Sequence, residues 1–175
     1  MKRTLILANI VLLALFSACT SSRVLVNGGN SINKYGISFS CPDEWAVTET
    51  ENEDGLTSAT IEKTGKNSSG MVIIVMVVGE SEHSTLAKTY YNSLENSGFE
   101  NMVLQELGEI YYGKYLMSCT SYQGNMEGLA FRGNFYSTII DEQTIYVIEQ
   151  EAIEDITLNK AGFDRIKKTL TLFTK

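Results

Sequence analysis

Met71-Val72-Ile73-Ile74-Val75-Met76-Val77-Val78 runs for eight apolar residues without a polar break, four of them Val and two Ile. Branched side chains favour an extended backbone, and a strand with no polar alternation offers no face to water. Such a strand is buried on both sides, so its sheet needs a cover on each face. Two stretches can supply the covers. Leu86, Tyr90 and Leu94 recur every four residues with Ala87 and Tyr91 beside them, Ser84 is placed to cap that helix, and Gly98 to stop it. Leu158, Phe163, Ile166 and Leu170 share the apolar side of a second helix, with Thr157 at its cap and Lys167-Lys168 in its last turns, where cations suit the dipole.

On either side of the apolar run the pattern has period two. Ile37, Phe39 and Cys41 share one strand face, and Pro42-Asp43-Glu44 turns the chain toward Trp45. Asp54-Gly55 is a hairpin signal, because the glycine accepts positive φ, and residues 56–63 should return antiparallel to 45–51. Gly65 to Gly70 is a loop; its Asn67-Ser68-Ser69 fits a glycosylation sequon and marks only exposure. Further strands are expected around 102–111, 114–122, 129–140 and 144–151, the third alternating Leu129, Phe131, Phe135 and Ile139 with polar residues. The predicted fold is α+β, an antiparallel β-sheet meander covered by two helices, in one domain over residues 34–175.

The first eighteen residues carry Lys2 and Arg3, then an apolar run, then small residues before Cys19, which is the anatomy of a secretion signal. Asn9 interrupts the run, which falls short of the ~18 apolar residues of a spanning helix. Phe16 suits an ordinary signal peptidase poorly, so an uncleaved helix and a simple secreted protein are the lesser alternatives. Ser17-Ala18-Cys19 resembles a bacterial lipoprotein box, although Phe16 stands where that box usually carries Leu. The resemblance implies a diacylglycerol on the Cys19 thiol and an acylated amine, at ~0.8 kcal/mol per buried methylene. Loss of the signal takes the formal charge from −7 to −9, a surface repelled by anionic headgroups, so the lipid must hold the protein to the membrane. Residues 20–33 read as a flexible tether reaching up to about 50 Å at ~3.5 Å per residue. Thr20, rather than Asp, follows Cys19, which by resemblance to Gram-negative sorting rules implies the periplasmic face of the outer membrane.

Tyr35-Gly36-Ile37-Ser38-Phe39, then Pro42 and Trp45, the long run of strands and a closing helix with Phe163, Ile166 and Thr169-Leu170 resemble the Mog1/PsbP-like superfamily. That group includes photosystem accessory proteins, a Ran-binding protein and DcrB-like bacterial lipoproteins. The resemblance implies an α/β/α sandwich and a non-enzymatic binding or assembly factor, here for another envelope protein. It transfers no binding residue.

The 175 residues are 43% hydrophobic, enough for a sizeable core, and the acidic balance argues against nucleic acid as a partner. Cys41 and Cys119 would be the thiols left after lipidation of Cys19; an oxidising compartment invites a disulfide, and two buried thiols are the other reading. The single His83 stands before the first helix without a Gly-x-Ser-x-Gly elbow or a His-Glu-x-x-His pair, so it reads as a surface histidine whose removal changes little. Glu49, Glu51 and Glu53 share a strand face but lack a calcium-loop spacing, so no metal or cofactor is expected. Tyr111, Tyr112, Tyr115, Tyr122 and Tyr136 are a candidate binding surface, or else cross-strand packing. An alternative function is a carrier of a small apolar ligand between helix and sheet; an enzyme would need His83 beside a hydroxyl or carboxylate in a cleft.

Overall fold

The computed structural model describes residues 31–34, 36–53, 55–65 and 69–173. The signal segment, Cys19, the tether up to residue 30, Tyr35, Asp54 and Asn67-Ser68 lie outside the described residues. The elements run β1 (Ser31–Lys34), β2 (Ile37–Ser40), β3 (Trp45–Glu53), β4 (Leu56–Lys63), β5 (Met71–Val78), α1 (His83–Asn96), β6 (Glu100–Tyr112), β7 (Tyr115–Met126), β8 (Leu129–Ile140) and β9 (Gln143–Ala152). A short 3-10 turn, Ile153–Asp155, then leads into α2 (Ile156–Thr169) and β10 (Thr171–Leu172). Residues 31–33, expected in the tether, belong to β1.

The apolar run is β5, and it separates two cores. Val72, Ile74 and Met76 point into one with Ile61, Val147 and Ile166; Met71, Ile73 and Val75 point into the other with Leu86, Tyr90 and Leu94. Helix α1 covers the second face. Helix α2 and a small sheet, in the order β1-β2-β10, cover the first.

The large sheet is antiparallel in the order β3-β4-β5-β9-β8-β7-β6, which refines the expected meander. Strand β5 is followed in sequence by α1 and β6 but pairs in space with β9, register Met71↔Gln150 to Val78↔Gln143. Both strands are almost wholly buried, and pairing them at the centre removes the most apolar surface from water. The chain therefore makes two meanders joined across the middle, with α1 spanning the crossover and β6 left as an edge.

Neither expected side-chain cap forms. Helix α1 starts one residue before Ser84, with Glu82 at the cap position, and α2 starts at Ile156 after Asp155; neither capping side chain hydrogen-bonds to its helix. Gly98 does end α1, at φ +96° with its N–H on the Glu95 carbonyl. Leu158 is 60% exposed instead of facing the core, because α2 turns Asn159, Gly162 and Ile166 inward. No helix among the described residues is long and apolar enough to cross a membrane.

Candidate functional site

Strand β9 turns from apolar residues to carboxylates along one face. Its face toward α2 runs Ile145, Val147, Glu149, Glu151, and the last two reach the floor of a cavity of about 240 Å³ under the first turns of α2. Arg132 lies opposite Glu151 in the β8–β9 register, and both its Nε and Nη2 donate to the same oxygen, Glu151 Oε1, at 2.9 and 2.7 Å. The Arg132 side chain is 44% exposed and that of Glu151 6%, so the pair leads from solvent into the interior. Deeper in, the Tyr136 hydroxyl donates to Glu149 Oε2 at 3.2 Å. Glu149 Oε1 and Glu151 Oε2 have no hydrogen-bond partner among the described residues. Burial pushes the Glu149 carboxyl above the ordinary carboxylate range, against the pull of Tyr112, Lys167, Tyr136 and Asn134. Lys160, paired with Asp164, stands on the helix side.

A second feature is the outer end of the sheet. Among the described residues β6 pairs only with β7, and it is exposed along most of its thirteen residues. Val103, Leu104, Leu107 and Tyr111 stand out from it, and Leu116 lies opposite Tyr111 on β7. Register shifts at Glu100–Val103 and Glu106–Gly108 bend the strand.

The five tyrosines do not form one surface. Tyr111 is 64% exposed, but Tyr112, Tyr122 and Tyr136 are buried and Tyr115 is half-buried, its hydroxyl accepting the Leu172 N–H at 2.7 Å. Tyr112 and Tyr136 pack on the α2 side, ring centres 4.9 Å apart, with the Lys167 ammonium 5.3 and 5.7 Å from them. On the α1 side the Tyr122 ring lies over Gly133, its hydroxyl donating to Gln150 Oε1 at 2.9 Å and sharing a hydrogen bond with Tyr90. Strand Tyr is amphipathic, and here the polar tips of Tyr122 and Tyr136 are met by other buried groups, whereas the buried Tyr112 hydroxyl has no hydrogen-bond partner among the described residues.

No family model matches the chain, and no curated protein matches it. Solved structures do. LpqN of Mycobacterium tuberculosis, involved in cell envelope biogenesis, aligns over 89% of this chain and 90% of its own at TM-score 0.50 and 13% identity. The cyanobacterial PsbP of Synechocystis sp. PCC 6803 aligns over 89% and 99% at 0.53 and 10%, and a variant of Mog1 over 85% and 98% at 0.52 and 8%. The chain has the Mog1/PsbP-like fold.

Within this Mog1/PsbP-like sandwich His83 is not a free surface residue. Its Nδ1 lies 2.8 Å from Ser137 Oγ and its Nε2 2.9 Å from Thr120 Oγ1, while the ring packs 5.7 Å from Phe135. It fastens the start of α1 to β7 and β8. Removal from water holds the imidazole below its ordinary range, with Glu106 acting the other way. Ser137 and Thr120 are both buried.

The two cysteines are free and buried in the same core, so the candidate bridge between Cys41 and Cys119 is not formed. The Cys41 thiol donates to the Trp45 carbonyl at 3.0 Å across the turn. Burial pushes the Cys119 thiol up to about 11, with Glu149 adding to the shift and Lys167 opposing it. Glu49 is exposed and Glu51 half-buried on the outer strand β3, and among the described residues no three His, Cys, Asp or Glu converge to hold a metal. The paired glutamates of β9 were missed in the sequence. Their signal is an Ile-x-Val-x-Glu-x-Glu alternation that keeps its period while changing its chemistry.

Proposed function

We propose that this chain is a lipid-anchored cell-envelope protein with no reaction of its own, an accessory or binding factor for another envelope protein. The partner is engaged through the free edge of β6 and the apolar side chains beside it. The carrying observation is that edge, thirteen residues long and unpaired on one side, with Val103, Leu104, Leu107, Tyr111 and Leu116 in the open. An exposed edge with apolar side chains is a template for another strand. Glu100, Glu106 and Glu109 along it oppose pairing with a second copy, and favour a partner strand carrying basic residues.

The membrane address rests on the signal anatomy and on Cys19, and Thr20 supports the periplasmic face of an outer membrane. The likeness in fold to LpqN, a protein of cell envelope biogenesis, supports an envelope setting. A carrier of apolar ligands has less behind it, since the α1–sheet seam is filled by Tyr90, Leu94 and Phe135, and α2 borders a small cavity floored by carboxylates and an open groove where Trp45 and Leu158 are ringed by charged side chains.

The test is a photo-crosslinking residue at position 104 of the full-length protein in cells, beside the same residue at Lys88 on exposed α1 and a Cys19→Ala control. One reproducible partner captured from position 104, absent from position 88 and lost with the anchor, is the expected result. Abundant, lipidated protein that captures nothing from position 104 would overturn it.

A further inference from the structure

We propose that the segment β6 receives is an extended strand of another protein with the pattern apolar-x-basic-x-basic-x-apolar, read on the α1 face of the sheet by Leu104, Glu106, Glu109 and Tyr111. The inference rests on the β6 edge as the partner's site, and it adds what the partner must carry there.

The pattern comes from the register. Tyr122 packs into the core under α1, while Met117 and Cys119 pack into the core under α2, so β7 turns Leu116, Ser118, Thr120 and Tyr122 toward the α1 side. Their neighbours on β6 are Tyr111, Glu109, Glu106 and Leu104, which share that face. The shift between Glu106 and Gly108 gives β6 one extra residue, so the four stand in consecutive rows although the middle pair is three apart in sequence. Along the edge they read apolar, acidic, acidic, apolar, and all four are exposed. The row of Tyr111 is apolar beyond β6 as well. Leu116 is 44% exposed, and Ile139, which stands two residues past the Ser118↔Ser137 pair as Leu116 does, is 45% exposed. The row ends at the buried Thr144, the neighbour of Ile139 on β9, whose hydroxyl donates to the Gly79 carbonyl and accepts the Ser81 N–H. The segment entering α1 thus closes that side, and the apolar ledge opens toward β6.

Each row selects one kind of neighbour. A strand added outside β6 lies about 4.8 Å away, which brings directly opposed side chains into contact. Opposite Tyr111 an apolar side chain extends the ledge and takes it out of water, and another does the same for Leu104. Glu106 and Glu109 have no ion-pair partner among the described residues, so they attract Lys or Arg and repel Asp or Glu. Glu106 acts on His83 across this face, but burial keeps that ring from becoming its counter-ion. The other face of β6 carries Val103, Gln105, Gly108 and Ile110, none of them charged. A slip of one residue would turn the partner's cations to that face, so the glutamates set the register. The pattern reads the same in both directions, and therefore suits a parallel or an antiparallel partner. A second copy of this chain in the same register would set glutamate against glutamate.

The experiment is a titration of the ¹⁵N-labelled full-length chain, in a nonionic detergent, with the peptide Thr-Ile-Thr-Lys-Thr-Lys-Thr-Ile-Thr blocked at both ends. Two controls accompany it: the isomer Thr-Lys-Thr-Ile-Thr-Ile-Thr-Lys-Thr, and the first peptide with Glu in place of both Lys. Amide shifts along residues 103–111 with a Kd of ~1 mM or tighter are expected for the first peptide, and roughly tenfold weaker binding for each control. In the double variant Glu106→Lys, Glu109→Lys the order of the Lys and Glu peptides should reverse. Equal binding of the isomer or of the Glu peptide to the unaltered chain would overturn the proposal. So would shifts centred away from β6, or no response at ~5 mM, well above a millimolar Kd. These peptide comparisons use the unaltered chain, so they decide even if the double variant folds poorly. If the pattern fails while a crosslinker at position 104 still captures one partner, the edge stands and only the pattern falls; if both fail, the edge falls with it.

Discussion

His83 ties the first turn of α1 to two neighbouring strands through hydroxyls that have little access to water. His83→Ala removes both bonds and strands Thr120 and Ser137, so a loss of about 1–3 kcal/mol is expected in urea denaturation, against the neutral outcome that a surface histidine predicts. The same site makes stability depend on pH. The folded pKa is depressed below 6.5, so the folded state takes the proton less readily than the unfolded one. Its contribution is whole above the unfolded pKa and declines as pH falls through 6.5 toward the folded value. Between about pH 7.5 and about pH 5 the wild-type chain should therefore lose more stability than His83→Gln, which has no titrating ring. The cysteines give a second test at this scale. Reductant should leave the midpoint of unfolding unchanged, and Cys41 and Cys119 should resist a thiol reagent until the chain unfolds, because burial holds both as thiols. None of these partners was legible in the sequence. His83 meets residues 37 and 54 positions away, and the pairing that brings them there is set by the β5–β9 join.

Elements were read more surely than their ends. The strands β5 and β8 lie where their patterns place them, because a continuous apolar run and a strict alternation are local signals. The helices exist as expected, yet their first residues and part of α2's buried face do not follow from periodicity. The reason is Trp45. Its ring lies against Gly162, and a Cβ there would meet the indole, so α2 turns that residue inward and Leu158 outward. Phe163 completes the contact edge-on at 5.3 Å from the same ring. Gly162→Ala should cost about 1–3 kcal/mol through overpacking, although alanine is the better helix former. Ala161→Ser, on the exposed side, should change stability by less than about 0.5 kcal/mol. Trp45 is the only tryptophan in the chain, so its fluorescence reports the disturbance directly, and an unchanged spectrum with unchanged stability in Gly162→Ala would refute this account of α2.

At the scale of the whole molecule, the order of strands decides which surfaces remain for function. Joining β5 to β9 buries the two most apolar strands and places β3 and β6 at the edges. A sequence reading yields eight strands in one meander, but neither that the first belongs to a separate small sheet nor which of the other seven end the large one, since every strand has the same backbone donors and acceptors. It likewise marks five tyrosines without revealing that three are interior, because the last residue of β6 and parts of β7 and β8 are covered by the two helical layers. What the order leaves open at β6 is apolar and exposed, while its glutamates discourage self-association. If the edge serves a partner, its side chains can be changed without harm to the fold. Leu104→Glu and Tyr111→Glu touch no core cluster, and the double variant should unfold within about 0.5 kcal/mol of wild type in urea. With the proposed lipid on Cys19 untouched, it should remain at the membrane. Capture of the partner by crosslinkers elsewhere on β6 should nevertheless fall to the background of the Cys19→Ala control. Equal capture by the double variant would move the docking site away from this edge, and a large loss of stability would show that these side chains serve the fold instead.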